Sequence, residues 1–281
     1  METATPPPSA THTTTHPSHR RTLIATIVVA VLLIAAQAGI IWLVSDEEMK
    51  TLLSDVLSPI ASLLAAGALF WAARRSSLIS RKLGQAWSLF ALALFVYFLG
   101  DVTWAIIEVA LHQERFPSLA DIFYLAYYPF LIIGVFILPR IPIIAQERTK
   151  LILDMVIIVV AVALGYWVTL IGPLIHTGAE GTPLSLAISV AYPVLDMLLL
   201  FTLVSLLARP MSVQRQLPIY LLAGSAAIMA LADSIYGYQN LIRTYISGSW
   251  LDLVWMIAYI LAGLAGVVHG LNMRQDEVSF E

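Results

Sequence analysis

The chain contains no cysteine, which excludes disulfides, Cys-ligated zinc and thiol nucleophiles. Charge is scarce too: Asp, Glu, Lys and Arg make up 12% of the 281 residues, against about 25% in soluble domains. No basic run is long enough to grip nucleic acid, so no nucleic-acid partner is expected. The motifs H-E-x-x-H and G-x-S-x-G, a Walker loop and a paired intramembrane His are all missing. No catalytic residue is therefore assigned, and a non-enzymatic protein is expected. His112, His176 and His269 are too scattered along the chain for a shared metal site, and the sequence points to no cofactor. No lysine falls mid-membrane to form a retinal Schiff base, and Gly100-Asp101 is only a weak match to the two-aspartate intramembrane proteases.

What the chain has in abundance is apolar sequence: 59% of it is hydrophobic, and the mean hydropathy is +0.86. A spanning helix needs about 20 mostly apolar residues. Eight segments qualify: 22–44, 52–73, 84–111, 119–139, 150–173, 185–208, 217–242 and 250–272. The expected fold class is an all-α integral membrane protein of eight transmembrane helices. Its membrane partner is lipid, and its location is a cell membrane crossed many times. Arg20-Arg21 ahead of Ala36-Gln37-Ala38 has the look of a signal peptide, yet the apolar run continues to Val44 and is too long for one. An uncleaved first span is expected.

Positive-inside counting fixes an orientation. With the N-terminus cytoplasmic, the inside carries Arg20, Arg21, Arg74, Arg75, Arg81, Lys82, Arg140, Arg148, Lys150, Arg209, Arg215 and Arg274. The outside carries only Lys50, Arg115 and Arg243. Both termini are therefore expected in the cytoplasm. Residues 1–21 are expected to be a disordered tail, in which His12, His16 and His19 read as spacers more readily than as metal ligands. Residues 274–281 form a short cytoplasmic tail with no room for an output domain.

Two stretches read as copies of each other. Tyr97, Asp101, Trp104 and Glu108 recur 132 positions later as Met229, Asp233, Tyr236 and Asn240. Ser118, Asp121, Tyr124 and Tyr128 recur 131 positions later as Ser249, Asp252, Trp255 and Tyr259. The spacing puts each set on one helix face. Helix 2 matches helix 6 more loosely, Ser58-Pro59 against Tyr192-Pro193. Two parallel four-helix repeats are expected, at 22–144 and 145–273, related by an axis along the membrane normal.

The duplicated faces carry acids, and a carboxylate at membrane depth is by default a functional-site hypothesis. Ser118-x-x-Asp121 and Ser249-x-x-Asp252 have capping-box spacing. Either these acids cap helices 4 and 8, or they line an outward-facing cavity with Tyr124, Tyr128, Trp255 and Tyr259. Asp101 and Asp233 lie inside their spans with no cation to pair with, and so must be protonated, hydrogen-bonded or neutralised by a bound cation. Asp196, the deepest acid, follows Pro193 in helix 6. It either bonds the carbonyl that the proline frees or serves a ligand pocket or hinge. Asp55 and Asp154 read as interfacial caps, and Glu108 as solvated. The candidate ligand-binding set is Asp101, Trp104, Asp121, Tyr124, Tyr128, Asp196, Asp233, Tyr236, Asp252, Trp255 and Tyr259.

FPSLADIFYLAYYPFLIIGVFIL (116–138), AYPVLDMLLL (191–200) and GSWLDLVWMIAYILAGLAG (248–266) carry a resemblance. They are similar to the multi-span N-terminal membrane sensor module of bacterial signalling proteins, in which it precedes GGDEF (diguanylate cyclase) and EAL (phosphodiesterase) domains or a histidine kinase. The resemblance covers roughly 80–270, with P-S-x-A-D-x-x-Y-L-x-x-Y-P as its most distinctive element. It implies an input module in a bacterial inner membrane that perceives a small ligand or a membrane state. With no output domain after helix 8, a separate cytoplasmic cyclase, phosphodiesterase or kinase is the implied partner. A proton-coupled small-solute transporter using the intramembrane aspartates is the alternative.

Overall fold

The computed structural model describes residues 17–112, 116–139, 145–173, 183–207, 213–242 and 244–278. The described residues are helical with no strand. The helices are α1 (Pro17–Leu43), α2 (Glu47–Ile79), α3 (Arg81–Ala105), α4 (Ala120–Ile137), α5 (Ala145–Tyr166), α6 (Pro183–Leu207), α7 (Val213–Leu241) and α8 (Trp250–Val278). Seven of them, all but α5, are long and apolar enough to cross a membrane; α5 contributes a shorter apolar stretch, Val156–Thr169. Their outward faces expose Ile27, Leu32, Val56, Leu64, Phe95, Ile133, Leu198 and Leu231. In water that surface would be a liability; facing lipid tails it is what a spanning bundle requires. The chain is a multi-pass membrane protein.

Helix ends follow local chemistry. Glu47 and Glu48 occupy the first turn of α2, where the helix dipole favours negative charge. Ser80 alone separates α2 from α3: its extended backbone (φ −148°, ψ 122°) turns the chain, and its Oγ accepts from Leu83 N at 3.5 Å. α1 starts at Pro17, inside the stretch expected to be disordered, because proline is tolerated in a first helical turn. Residues 1–16, with His12 and His16, lie outside the described residues, and His19 is buried on α1. α8 runs to Val278, past the expected edge at 272, since nothing in Met273–Val278 breaks a helix. The Gly-rich stretch 176–182 lies outside the described residues.

α2 packs along α3 and α8, α3 along α4, and α7 along α8. α6 touches α4, α5 and α7, while α1 lies against α8 and α2. The α2–α8 seam is rich in small residues: Ala61, Ala65 and Ala72 of α2 and Ala258, Ala262 and Ala265 of α8 are buried in one core cluster. There Gly266 allows backbone contact, for a Cβ at that position would fall 2.7 Å from Ala68 C. At the α2–α3 corner end, Trp87 stacks flat on His269 (centroids 4.0 Å apart, planes 9° apart), whose Nε2 lies 2.8 Å from Ser76 Oγ. That half of the bundle is a packed core. The opposite half is hollow.

Candidate functional site

The N-terminal turns of α2, α4, α6 and α8 and the C-terminal turns of α3, α5 and α7 surround a cavity of about 960 Å³. Small-molecule sites run to about 300–1,000 Å³. Two of its walls end in π-helical turns, Ile106–Ala110 after α3 and Trp167–Ile171 after α5. Such turns shift side-chain register at functional sites, and the first brings Glu108 to the cavity wall. Two prolines act nearby: Pro59 has no amide for the carbonyl of Asp55, nor Pro193 for that of Ser189, and both of those residues line the cavity.

Seven carboxylate side chains line it: Asp55, Asp101, Glu108, Asp121, Asp196, Asp233 and Asp252. No Lys, Arg or His is among the described lining residues. Six of them, all but Asp55, accept from neutral donors instead. Asp101 accepts from Ser62 Oγ at 2.7 Å on one oxygen, and from Tyr124 and Tyr259 at 3.3 Å each on the other. Asp233 accepts from Trp255 Nε1 at 2.8 Å and from Tyr128 at 3.2 Å. The two acids are thus treated alike: one aromatic donor comes from the neighbouring helix, α4 for Asp101 and α8 for Asp233, and one from the helix diagonally across. Gly100 makes room for this at the first acid, since a Cβ there would lie 2.5 Å from the Tyr124 ring.

Asp196, only 1% exposed, accepts from Tyr128 at 2.8 Å and from Tyr166 at 3.2 Å. It bonds tyrosines rather than the carbonyl freed by Pro193. Tyr166 also lies 2.5 Å from Ser234 Oγ, and Ser234 donates to Ala230 O at 2.6 Å. Tyr128 and Tyr166 each have one hydroxyl hydrogen for two neighbours. A proton on Asp196 supplies one of the missing hydrogens, so that the acid donates to one tyrosine and accepts from the other.

The two S-x-x-D acids do both things left open by the sequence. Asp121 Oδ2 accepts from Ser118 N at 2.6 Å, with Ser118 Oγ accepting from Ala120 N at 3.2 Å, close to a capping box. Its other oxygen accepts from Tyr192 at 2.7 Å. Asp252 Oδ2 accepts from Gly248 N at 2.6 Å and from Ser54 at 2.8 Å, and its Oδ1 accepts from Tyr245 at 3.2 Å. Gly248 adopts φ +82°, a conformation that favours glycine. Tyr245, in the loop before α8, has its phenol pushed well above the usual range, chiefly by burial, and so remains a neutral donor. Ser54 in turn accepts from Gln37 Nε2 at 2.8 Å, which ties α1 to the site.

Ten of the eleven candidate residues line the cavity. Tyr128 does not: at 1% exposure it is sealed in the wall, bridging Asp196 and Asp233. Three further expectations are corrected. Asp55 is no helix cap, because α2 begins two turns earlier at Glu47. Glu108 is not simply solvated, because it accepts from Ser247 Oγ at 2.8 Å. Asp154 lies well inside α5 rather than at its start. Sequence reasoning missed Gln37, Ser54, Ser62, Tyr166, Tyr192 and Tyr245. Of these only Tyr192, next to Pro193 in the looser repeat match, had a signal. Among the described residues, no group of three or more His, Asp or Glu is placed to hold a metal ion. The chain matches no family model, and neither a curated protein nor a solved structure shows significant similarity to it.

Proposed function

We propose that the chain is a non-enzymatic membrane sensor or binding module. It takes a small ligand into the acidic, aromatic cavity and signals to a cytoplasmic partner. The observation that carries this reading is the cavity itself: small-molecule sized, walled by seven carboxylates and ringed by aromatics, in a bundle whose other half is close-packed. Among the described residues no nucleophile–base pair recommends an enzyme. The orientation from positive-inside counting puts the cavity on the outer side and the packed half inward, in a bacterial inner membrane. The resemblance of 116–138, 191–200 and 248–266 to sensor modules of GGDEF/EAL proteins supports the same role. Matching helix pairs, α3–α4 with α7–α8 and α2–α8 with α6–α4, support two four-helix repeats.

Affinity purification from native membranes, with mass spectrometry, tests the signalling part. A reproducible cyclase, phosphodiesterase or kinase is expected, and a chain that elutes without any protein partner sinks it. For the binding part, neutralising Asp101 and Asp233 together should abolish stabilisation by a co-eluting solute; unchanged stabilisation removes the site assignment.

One observation favours a second reading, proton-coupled transport of a small solute. Asp233, Tyr128, Asp196, Tyr166 and Ser234 form a continuous hydrogen-bonded chain, the kind of path along which protons move. Proton uptake into proteoliposomes that disappears in Asp196→Asn would favour transport over sensing.

A further inference from the structure

We propose that the cavity's ligand is a linear polyamine, a flexible chain bearing two or more ammonium groups, bound at two acidic stations about 10 Å apart along the bundle axis. This rests on the binding-module reading above and names the class of ligand.

The spacing comes from the helices. Asp55 and Ser62 lie seven residues apart on α2, a rise of about 10 Å, and Ser62 donates to Asp101. Asp252 and Tyr259 repeat that interval on α8, and Tyr259 also donates to Asp101. One station is therefore the Asp55–Glu108 pair with Asp252, near the helix ends. The other is Asp101 with Asp233, two turns deeper.

The outer station is incomplete as it stands. Asp55 on α2 lies beside the π turn that carries Glu108, and both acids line the cavity with no cation between them. One oxygen of Asp55 has no hydrogen-bond partner and is sealed just beneath the cavity surface that the residue lines. A buried carboxylate oxygen left unpaired is costly, and a turn of the Asp55 side chain towards an ammonium group in the cavity would pair it.

Between the stations the wall is aromatic. Tyr236 and Tyr245 meet edge to face at 4.8 Å, and Trp255 lies 5.8 Å from Tyr236. Such rings accept the methylenes of an alkyl amine by burial and its charge by cation–π attraction. A bare metal ion fits poorly. The acids are separated by Tyr, Trp and Ser donors rather than gathered, and the space far exceeds an ion's coordination shell. A monoamine would answer only one station.

The test is calorimetric titration of the full chain in lipid nanodiscs with spermidine, butylamine and magnesium at matched ionic strength. Spermidine should bind saturably and about tenfold or more tighter than butylamine, as one further charge-assisted contact implies. Asp55→Asn or Glu108→Gln should bring spermidine affinity down towards that of butylamine, with circular dichroism confirming the fold. Equal affinity for spermidine and butylamine overturns the proposal. So does displacement of spermidine by equimolar magnesium, or no binding by a folded, monodisperse protein. Should another solute stabilise the chain through Asp101 and Asp233 while spermidine does not, the polyamine class falls and the binding-module reading stands.

Discussion

The hydroxyl of Tyr259 lies 3.3 Å from Oδ1 of Asp101, a residue 158 positions earlier in the chain. The reverse bond also exists, from Tyr128 on α4 to Asp233 on α7 at 3.2 Å. Two helix pairs far apart in sequence are cross-tied by reciprocal tyrosine–aspartate bonds, and the ties sit in the wall of the cavity. The site and the junction between the two halves of the chain are therefore one structure.

Removing either hydroxyl should loosen that junction. Tyr259→Phe should cost about 1 kcal/mol of stability, because Asp101 keeps Ser62 and Tyr124 as donors. Tyr128→Phe should cost more, about 1–3 kcal/mol, since it removes the hydroxyl that bridges Asp233 and Asp196. Denaturant titration in mild detergent checks the order; equal losses would mean the Tyr128 bridge is not formed.

Asp196 should carry a proton at neutral pH, because Tyr128 and Tyr166 together are short of hydrogens for their acceptor neighbours. Infrared spectroscopy should show a carboxylic-acid carbonyl band that vanishes in Asp196→Asn. Because the amide is also neutral and can donate, that variant should fold nearly as well as the parent, whereas Asp196→Leu should lose about 1–3 kcal/mol.

Gly100→Ala should be harmful out of proportion to one methyl group. Its Cβ would meet Tyr124 Cε1 at 2.5 Å, and that ring is held by its bond to Asp101. Overpacking of this kind costs about 1–3 kcal/mol. Adding Tyr124→Ser should recover most of the lost melting temperature; no recovery would place the strain elsewhere.

His269 belongs to the packed half. His269→Ala should remove its stacking on Trp87 and its contact with Ser76, lowering stability by about 2–4 kcal/mol. Ligand affinity at the cavity should be unaffected in the fraction that remains folded, which calorimetry on the refractionated variant would read.

Much of this was legible in the sequence because both signals were physical. Long apolar runs have few homes other than a bilayer, and a helical spacing of acids and aromatics on such a run marks an inward face. Asp101, Asp233, Tyr124 and Trp255 follow from that logic. Asp55 did not, because the apolar window hid how far α2 extends towards Glu47, turning a buried acid into an apparent cap. Glu108 was misplaced for a related reason: its position depends on a π turn, which no hydrophobic period announces. Ser54, Ser62 and Gln37 are short or neutral polar residues on spans, and only a partner reveals their use. Tyr128 shared the periodicity of Tyr124 but ends beneath the cavity floor, a difference of depth that spacing alone does not encode.

The contact of Gly266 with the backbone of Ala68 has a mechanical corollary. It locks α2 to α8 with no side chain between them to rearrange, while α6 meets α4 by a far sparser seam. A guest that wedges the cavity wider therefore has a stiff wall on one side and a yielding one on the other. Any widening of the cavity would thus move α6 and α5 more than α2 and α8, which stand as the post.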